Sequence, residues 1–302
     1  MRSVALKDKR IKSNRVDRIF SIFNYLFAAA FLLIILYPVY FVIIASFSNP
    51  YDVAGGRVWL WPVNFTLAGY EAVFKDSEIW IGYRNTILYT VLGTLFGLAV
   101  NLPAAYALSR RDLVGQKYIM LFFVFTMFFN GGLIPTYLTI KEFGLLDNFL
   151  VMIIPFAVSV YNIIVARTFF SNNISQEMLE AAQIDGCGNV RFFVQIVLPL
   201  SKAIIAVIAL WTAVGHWNSY FNALIYIQDS DLYPLQLILR NILITNLQQS
   251  SAGLTQLSDQ AMQTGMIMRY AVVVISTVPI MCVYPFIQKH FNQGVMIGAI
   301  KG

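Results

Sequence analysis

Residues 177–201 read EMLEAAQIDGCGNVRFFVQIVLPLS and form one of the few polar stretches between two long apolar runs. Ser175 stands where it can cap a short helix, and Glu177 falls in the first turn, where the helix dipole favours an anion. Gly186 can adopt the left-handed backbone that ends a helix, and Asn189 predicts a second capped start. The stretch therefore predicts a short helix, a tight turn and a second helix leading into a membrane, which is the shape of a docking element.

The composition places these helices in a membrane protein. The chain has 302 residues, of which 58% are hydrophobic and 12% charged, and its mean hydropathy is +0.67. Soluble domains carry about 25% charged residues. Two cysteines and two histidines in total, without a CxxC pair, argue against a disulfide framework or a structural zinc site.

Six apolar runs are long enough to approach the roughly 20 residues that a helix needs to cross a bilayer. They are residues 19–47, 85–108, 118–137, 149–166, 203–227 and 270–287. The sequence therefore predicts an all-α membrane protein with six transmembrane helices.

The distribution of basic residues orients these six spans. If the N-terminal tail lies in the cytoplasm, the cytoplasmic segments hold 15 of the 21 basic residues. This agrees with the positive-inside rule and places both termini in the cytoplasm. The net charge of +6 is thereby explained by topology, so we expect no nucleic-acid partner.

Several spans carry signals of packing and bending. Gly93, Gly97, Asn101 and Ala105 repeat at a spacing of four, which predicts close approach by another helix. Asn101 and the following Pro103 predict a local irregularity that neighbouring protein must satisfy. The sequence FNGG at residues 129–132 predicts that the outer half of the third span is bent or unwound.

Aromatic residues in the first outer loop have two interpretations. We favour an interfacial aromatic belt, with stacking against a sugar as the alternative. The residues are Trp59, Trp61, Tyr70, Trp80 and Tyr83.

The sequence shows no catalytic motif and no ionisable residue deep in a span beyond His216. His216 could relay protons, but packing is the favoured interpretation. An ion-driven carrier or channel, or a membrane-embedded enzyme, would need groups that this sequence does not supply. The energy for transport is therefore expected to come from a partner.

The docking stretch at residues 177–201 and four other stretches carry a family resemblance. Glu180-Ala181-Ala182, then Gly186, then Ile196-Val197-Leu198-Pro199 resemble the cytoplasmic coupling loop of binding-protein-dependent ABC importer permeases. AYALSRRDLVGQ at residues 105–116 and the tail FNQGVMIGAIKG resemble the carbohydrate branch, which includes the small permease of maltose transporters. FFNGGLIPTYL at residues 128–138 and ARTFF at residues 166–170 resemble the subgroup for complex or oligomeric sugars. The resemblance covers nearly all of residues 83–302, and the sequence departs from the family at Cys187, where alanine is usual.

The resemblance implies a type I permease fold, with these segments in order: a cytoplasmic basic tail (residues 1–18), a first helix and outer loop (19–82), a permease core (83–287) containing the coupling loop (171–201), and a cytoplasmic C-terminal tail (288–302). It also implies partners: a second permease in a heterodimer, a cytoplasmic ABC ATPase dimer, an extracellular solute-binding protein and an oligosaccharide. ATP and Mg²⁺ would be bound by the ATPase, with no cofactor in this chain. The chain itself would be a non-catalytic subunit in a bacterial cell membrane.

Two sets of site residues follow. The resemblance assigns ATPase coupling to Glu180, Ala181, Ala182, Asp185 and Gly186. The fifth span offers residues for the substrate passage, because aromatic faces and amides suit sugar rings and hydroxyls, although packing of the same residues is equally compatible. These are Trp217, Asn218, Tyr220 and Asn222. An ABC permease for a non-sugar solute and a self-sufficient secondary carrier are the alternative functions.

Overall fold

The computed structural model describes residues 15–251 and 268–282, with residues 15 and 245–251 described by their backbone alone. All regular elements in these ranges are helical, as predicted. The chain divides into two compact units, Met1–Leu67 and Ala68–Gly302. The C-terminal tail (288–302) and most of the N-terminal basic tail (1–18) lie outside the described residues.

The first unit is built around one long apolar helix, α1 (Arg15–Ser46), followed by the short α2 (Pro50–Ala54). The 32 residues of α1 extend about 48 Å, which exceeds the roughly 30 Å of bilayer hydrocarbon. The side chain of Asn49 caps α2 by accepting from the backbone N–H of Tyr51.

The loop after α2 is ordered by polar contacts inside this unit. The carboxylate of Asp52 is buried and accepts from both Arg57 (3.1 Å) and Asn64 (2.7 Å). Trp59 and Trp61 remain exposed on this loop, as an interfacial belt would require. Their membrane role stays a prediction.

The second unit contains twelve further helices and three other helical turns within the described residues. The helices are α3 (Ala68–Lys75), α4 (Ser77–Ser109), α5 (Gln116–Phe128), α6 (Leu133–Glu142), α7 (Val160–Asn173), α8 (Gln176–Ile184), α9 (Asn189–Phe192), α10 (Leu198–Leu200), α11 (Lys202–Trp217), α12 (Phe221–Tyr226), α13 (Leu235–Ser251) and α14 (Met268–Cys282). The turns are 3₁₀ at Phe149–Met152 and Ser230–Leu232, and π-helical at Phe193–Val197.

Several predicted spans are interrupted. α5 and α6 meet at 113° across residues 129–132, which confirms the predicted bend, and α11 lies at 84° to the segment Asn189–Leu200. The predicted continuous run at 149–166 is wrong as a single helix, since irregular backbone fills residues 153–159. Of the described helices, α1 and α4 are each long and apolar enough to cross a membrane alone. A six-span topology is compatible with these helices.

α4 is the central element of the second unit, and α7 and α11 pack against it. Gly93 of α4 makes the closest approach: a Cβ atom there would lie 2.3 Å from Nε2 of His216. One turn further on, a Cβ at Gly97 would lie 3.3 Å from the methyl group of Thr212. The predicted small-residue stripe therefore does bring another helix close, and His216 is a packing residue of that contact.

Asn101 holds the irregular segment 153–159 against α4. Its amide donates to the carbonyl oxygens of Gly97 (2.6 Å) and Ala157 (2.7 Å), and its Oδ1 accepts from the N–H of Ser159 (2.8 Å). The expected irregularity at Asn101 and Pro103 is thus misplaced, because α4 runs unbroken through both. The break lies in the neighbouring segment, whose freed backbone groups Asn101 satisfies.

The two ends of α4 contact different loops. Near its N-terminus, Asn85 donates to the carbonyls of Asp231 and Tyr233, and Thr86 accepts from the N–H of Leu235. Near its C-terminus, the residues around Tyr106 contact the coupling loop. The coupling loop and the turn at residues 109–117, called the inner turn below, therefore lie at the same end of the bundle.

Candidate functional site

α8 forms where the sequence predicts it. Oγ of Ser175 accepts from the backbone N–H of Met178 at 3.3 Å, so this residue is the predicted N-cap. The pKa of Glu177 is lowered by its own backbone N–H and by the hydroxyl of Ser175. The first turn of α8 thus carries a stable negative charge, complementary to the helix dipole.

The C-terminus of α8 is closed by a Schellman motif. The N–H of Cys187 donates to the carbonyl of Ala182 at 2.8 Å, and the N–H of Gly186 donates to that of Gln183 at 3.0 Å. Gly186 has φ +76°, the left-handed conformation that the sequence predicts. A side chain at residue 186 would meet open space, so backbone conformation is the reason for glycine here.

The expected cap at Asn189 is wrong. α9 begins at Asn189 itself, after Gly188, and no side chain caps it. Oδ1 of Asn189 instead accepts from Nη1 of Arg110, which follows α4, over 2.9 Å. The side chain therefore joins the inner turn to the coupling loop.

α8 has one face in the core and one face outward. Leu179 and Ala182 are buried in a cluster with Phe192 and Val197. The outward residues include four of the five assigned to coupling: Glu180, Ala181, Asp185 and Gly186. Ile184 is 87% exposed beside them, a large apolar side chain that the sequence reading overlooked. The surface combines the two carboxylates of Glu180 and Asp185 with small residues and one apolar side chain, whereas Ala182 is buried beneath it.

An aromatic cluster connects this loop to α4. The ring of Tyr106 stacks on Phe193 with centroids 5.1 Å apart, and Phe170 and Phe192 lie 6.2 and 6.4 Å away. These rings pack α9 and the π-helical turn after it directly against the end of α4.

Arg110 adds polar contacts to the same junction. Its guanidinium is paired with Asp112, and Nη1 also lies 3.3 Å from the hydroxyl of Tyr106. The hydrogen bond from Arg110 lowers the pKa of the Asp112 carboxyl, and the pKa of Arg110 is raised by the same contact. Nε of Arg167 donates to the carbonyl of Leu108 at 2.8 Å, which fixes the last turn of α4.

The four residues predicted for the substrate passage have different surroundings. Trp217 is buried, donates from Nε1 to the carbonyl of Ser276 at 3.1 Å, and meets the ring of Tyr83 edge-on, so it packs the bundle. Asn218 ends α11 and donates to the carbonyl of Val214. Tyr220 is exposed, with its ring edge-on to Phe221.

Asn222 is the member of that set which lines a cleft of about 420 Å³ between α7 and α11. Its other principal walls are Tyr161 and Trp211, which are not among the residues predicted for the passage. The sequence does contain a pattern that could have indicated them. In two separate spans an aromatic residue is followed directly by a polar one, at Tyr161-Asn162 and at Trp211-Thr212. Within residues 15–251 and 268–282, no three His, Cys, Asp or Glu side chains gather where they could hold a metal ion.

Comparisons with known proteins agree with this geometry. Residues 78–297 match the family described as binding-protein-dependent transport system inner membrane component. A polygalacturonan/rhamnogalacturonan transport system permease protein of Bacillus subtilis (strain 168) is 38% identical over 95% of this chain and 99% of its own length. The protein LplC of the same organism is 38% identical over 96% of this chain and 97% of its own length.

A solved structure also matches. It is a chain of a bacterial ABC transporter involved in the import of the acidic polysaccharide alginate. The TM-score is 0.85 and the sequence identity 34%, and the match covers 93% of this chain and 99% of that one. With a family match over most of its length and relatives at this identity, the chain belongs to the family of binding-protein-dependent transport system inner membrane components, as a permease subunit of an ABC importer.

Proposed function

We propose that this chain is one of two different permease subunits in an ATP-driven importer of oligosaccharides. A cytoplasmic ATPase dimer, which binds ATP and Mg²⁺, docks on the outward face of α8, and an extracellular binding protein delivers the sugar. Both termini lie in the cytoplasm. The relatives support the substrate class, since their names refer to polygalacturonan, alginate and, at 23% identity, melibiose, raffinose and stachyose.

The observation that carries the coupling role is the two-sided construction of α8. Its outward face offers Glu180, Ala181, Asp185 and Gly186 to a partner, while its inward face and the Tyr106 cluster join it to α4. Small side chains allow close approach of a partner surface, and Glu180 offers a carboxylate to a basic group. Movement of the ATPase dimer would thus shift α8 and α9 as a rigid body and, through Tyr106, reach the helices around the passage.

Reconstitution tests this proposal. The chain is co-expressed with candidate permease and ATPase partners, purified and placed in liposomes, and uptake of labelled oligosaccharides is measured with binding protein and ATP. We expect uptake that depends on ATP and on sugar-loaded binding protein. Uptake driven by an ion gradient without the ATPase would contradict the proposal.

A charge reversal tests the coupling surface. Glu180→Lys is expected to abolish uptake and binding-protein-stimulated ATP hydrolysis, with insertion into the membrane unchanged. The matched control is Glu142→Lys, since Glu142 is also an exposed helix acid but ends α6, away from the coupling loop. Full uptake by the Glu180 variant would remove α8 as the coupling element.

A further inference from the structure

The cleft between α7 and α11 lies beside the broken backbone of residues 153–159. Its volume of about 420 Å³ falls in the range of roughly 300–1,000 Å³ that small-molecule sites occupy. Its walls come from the irregular segment, the start of α7, the last turns of α11 and the start of α12. The lining residues are Met152, Phe156, Ala157, Ser159, Tyr161, Asn162, Trp211, Thr212, Gly215, His216, Ser219 and Asn222.

The irregular backbone of residues 153–159 lies within an apolar run, where a membrane protein tolerates such backbone in few surroundings. In hydrocarbon, unpaired backbone groups are tolerated where they are buried in protein or line a water-filled cavity. Asn101 satisfies the backbone at residues 157 and 159 from one side. The cleft lies along the same segment and has a largely apolar lining with a few polar side chains, so the break opens onto a cavity, as broken helices do at many transport sites.

Two aromatic rings form one wall of the cleft. Tyr161 and Trp211 lie with centroids 5.4 Å apart and planes inclined by 40°. Tyr161 is 54% exposed and Trp211 is 37% exposed, so part of each ring is accessible from the cleft in this subunit. A sugar ring has an apolar C–H face of the kind that packs on such a surface.

Polar side chains complete the lining. Asn162 is buried, with its Nδ2 atom 3.4 Å from Oγ1 of Thr212, and Ser219 and Asn222 stand on the α11–α12 side. Amides and hydroxyls can both donate and accept, which matches the hydroxyls of a sugar. Polar side chains inside a membrane-spanning region either join packed helices, as Asn162 and Thr212 do, or face a cavity that a substrate can enter.

The charges of the residues that line the cleft determine whether it can distinguish acidic from neutral sugars. Among the described residues, those that line the cleft include no Asp, Glu, Lys or Arg, and His216 is engaged in packing against Gly93. A carboxylate on a sugar would therefore find no fixed cationic partner in this cleft. The lining suits the ring and hydroxyls that acidic and neutral sugars share.

We propose that Tyr161, Trp211 and Asn222 form a saccharide contact site that holds one sugar ring of the oligosaccharide by stacking and by hydrogen bonds to hydroxyls. The site does not select for or against a carboxylate on that ring. This rests on the proposed importer function and adds to it a direct contact between this permease subunit and the cargo. Selection between acidic and neutral sugars then lies with other components of the importer.

Uptake by the complete transporter in liposomes tests the site, with oligogalacturonate and its neutral galactose analogue as probes. Trp211→Ala and Tyr161→Ala are each expected to raise the KM for uptake about tenfold, the effect of losing a stacking partner worth about 1.4 kcal/mol. The increase should be the same for every probe that the unsubstituted transporter imports. Trp211→Phe keeps a ring and should keep KM within about twofold.

Stimulation of ATP hydrolysis by the sugar-loaded binding protein is expected to persist in these variants, since docking on α8 is untouched. Phe143→Ala serves as the matched control, because Phe143 is an exposed aromatic residue at the end of α6 outside the cleft. Unchanged KM in both alanine variants would overturn the contact site. A KM that rises for oligogalacturonate but not for the neutral analogue would overturn the claim of charge indifference.

A labelling experiment covers the case in which an alanine variant fails to fold. The chain has two cysteines, Cys187 and Cys282, which can be replaced by alanine and serine. Ser219→Cys in that background gives one thiol in the cleft, and saturating sugar should slow its reaction with a maleimide severalfold. Equal rates with and without transported sugar would overturn the site. Failure of the unsubstituted transporter to import any oligosaccharide would instead refute the proposed function.

Discussion

Nη1 of Arg110 donates a hydrogen bond to Oδ1 of Asn189 across 2.9 Å, although 78 residues separate them along the chain. Arg110 follows α4 directly, and Asn189 begins α9 just after the turn at Gly186. The contact ties the inner turn to the coupling loop beside the Tyr106–Phe193 stack. The end of α4 is therefore joined to the coupling loop by one polar and one aromatic contact.

Loss of the polar connection should weaken coupling without preventing folding. A hydrogen bond of this type contributes about 0.5–1.5 kcal/mol, so Asn189→Ala and Arg110→Ala should reduce the sugar imported per ATP hydrolysed by about two- to tenfold. The ratio is measured in liposomes from uptake and phosphate release. Lys117→Ala is the control, since Lys117 is an exposed basic residue at the end of the inner turn. An unchanged ratio in both variants would show that the aromatic cluster alone carries the motion.

Two glycines of the coupling loop allow a matched test of backbone conformation. Gly186 has φ +76° and closes the Schellman motif, whereas Gly188 has φ −75° and ψ 161°, which any residue adopts. Both would place a Cβ in open space. Gly186→Ala should cost about 1 kcal/mol locally and lower uptake, and Gly186→Val should abolish it.

Gly188→Ala should leave uptake near that of the unsubstituted protein. Retention of ATPase partner in a pull-down separates loss of docking from loss of expression. If Gly186→Val transports normally, the turn is not required to present Glu180 and its neighbours to the ATPase.

The contact between Gly93 and His216 predicts a compensating pair. Gly93→Ala would place its Cβ 2.3 Å from the imidazole and should lower the unfolding free energy in detergent by about 1–3 kcal/mol, because the packed helices must separate or the ring must move. His216→Ala should recover most of that loss in the double variant. Thermal unfolding midpoints of the single and double variants measure the coupling.

Gly215→Ala is the control for this pair, since a Cβ at Gly215 in α11 meets nothing within 4 Å. It should be neutral or stabilising by up to about 1 kcal/mol, the difference in helix propensity between glycine and alanine. If the changes in unfolding free energy caused by Gly93→Ala and His216→Ala simply add in the double variant, the two residues do not limit the approach of α4 and α11.

The parts of the structure that depend on short-range signals were predictable from the sequence. Ser175 and Gly186 bound α8 as expected, because caps and left-handed turns involve groups within a few residues. The bend at residues 129–132 and the close approach at Gly93 also follow from local residue types.

The parts that failed depend on distant partners. Residues 149–166 are apolar, but apolar composition indicates location in the membrane rather than continuity of a helix. The backbone there is irregular around Pro155, and Asn101, more than fifty residues earlier in the chain, supplies hydrogen bonds to the carbonyl of Ala157 and the N–H of Ser159. The hydrogen bond from the indole N–H of Trp217 to the carbonyl of Ser276 also joins distant parts of the chain, and the role of Trp217 in the substrate passage stays a prediction. Such pairings are tertiary, so no local pattern reports them.

A substitution at Asn101 measures the free-energy cost of losing these long-range hydrogen bonds. The residue is fully buried, and Asn101→Leu, which has a similar size, would remove three hydrogen bonds at once. The carbonyl of Ala157 and the N–H of Ser159 would lose that partner in a dry environment, so we expect a loss of about 1–3 kcal/mol in unfolding free energy.

Asn173→Leu is the control, because Asn173 is exposed and its amide donates to the carbonyl of Phe169 in its own helix. Unfolding in detergent gives the free energy, and proteolysis should show faster cleavage within residues 153–159 for the Asn101 variant. If both variants unfold and are cleaved alike, the irregular segment is held by its packing against α4 and not by Asn101.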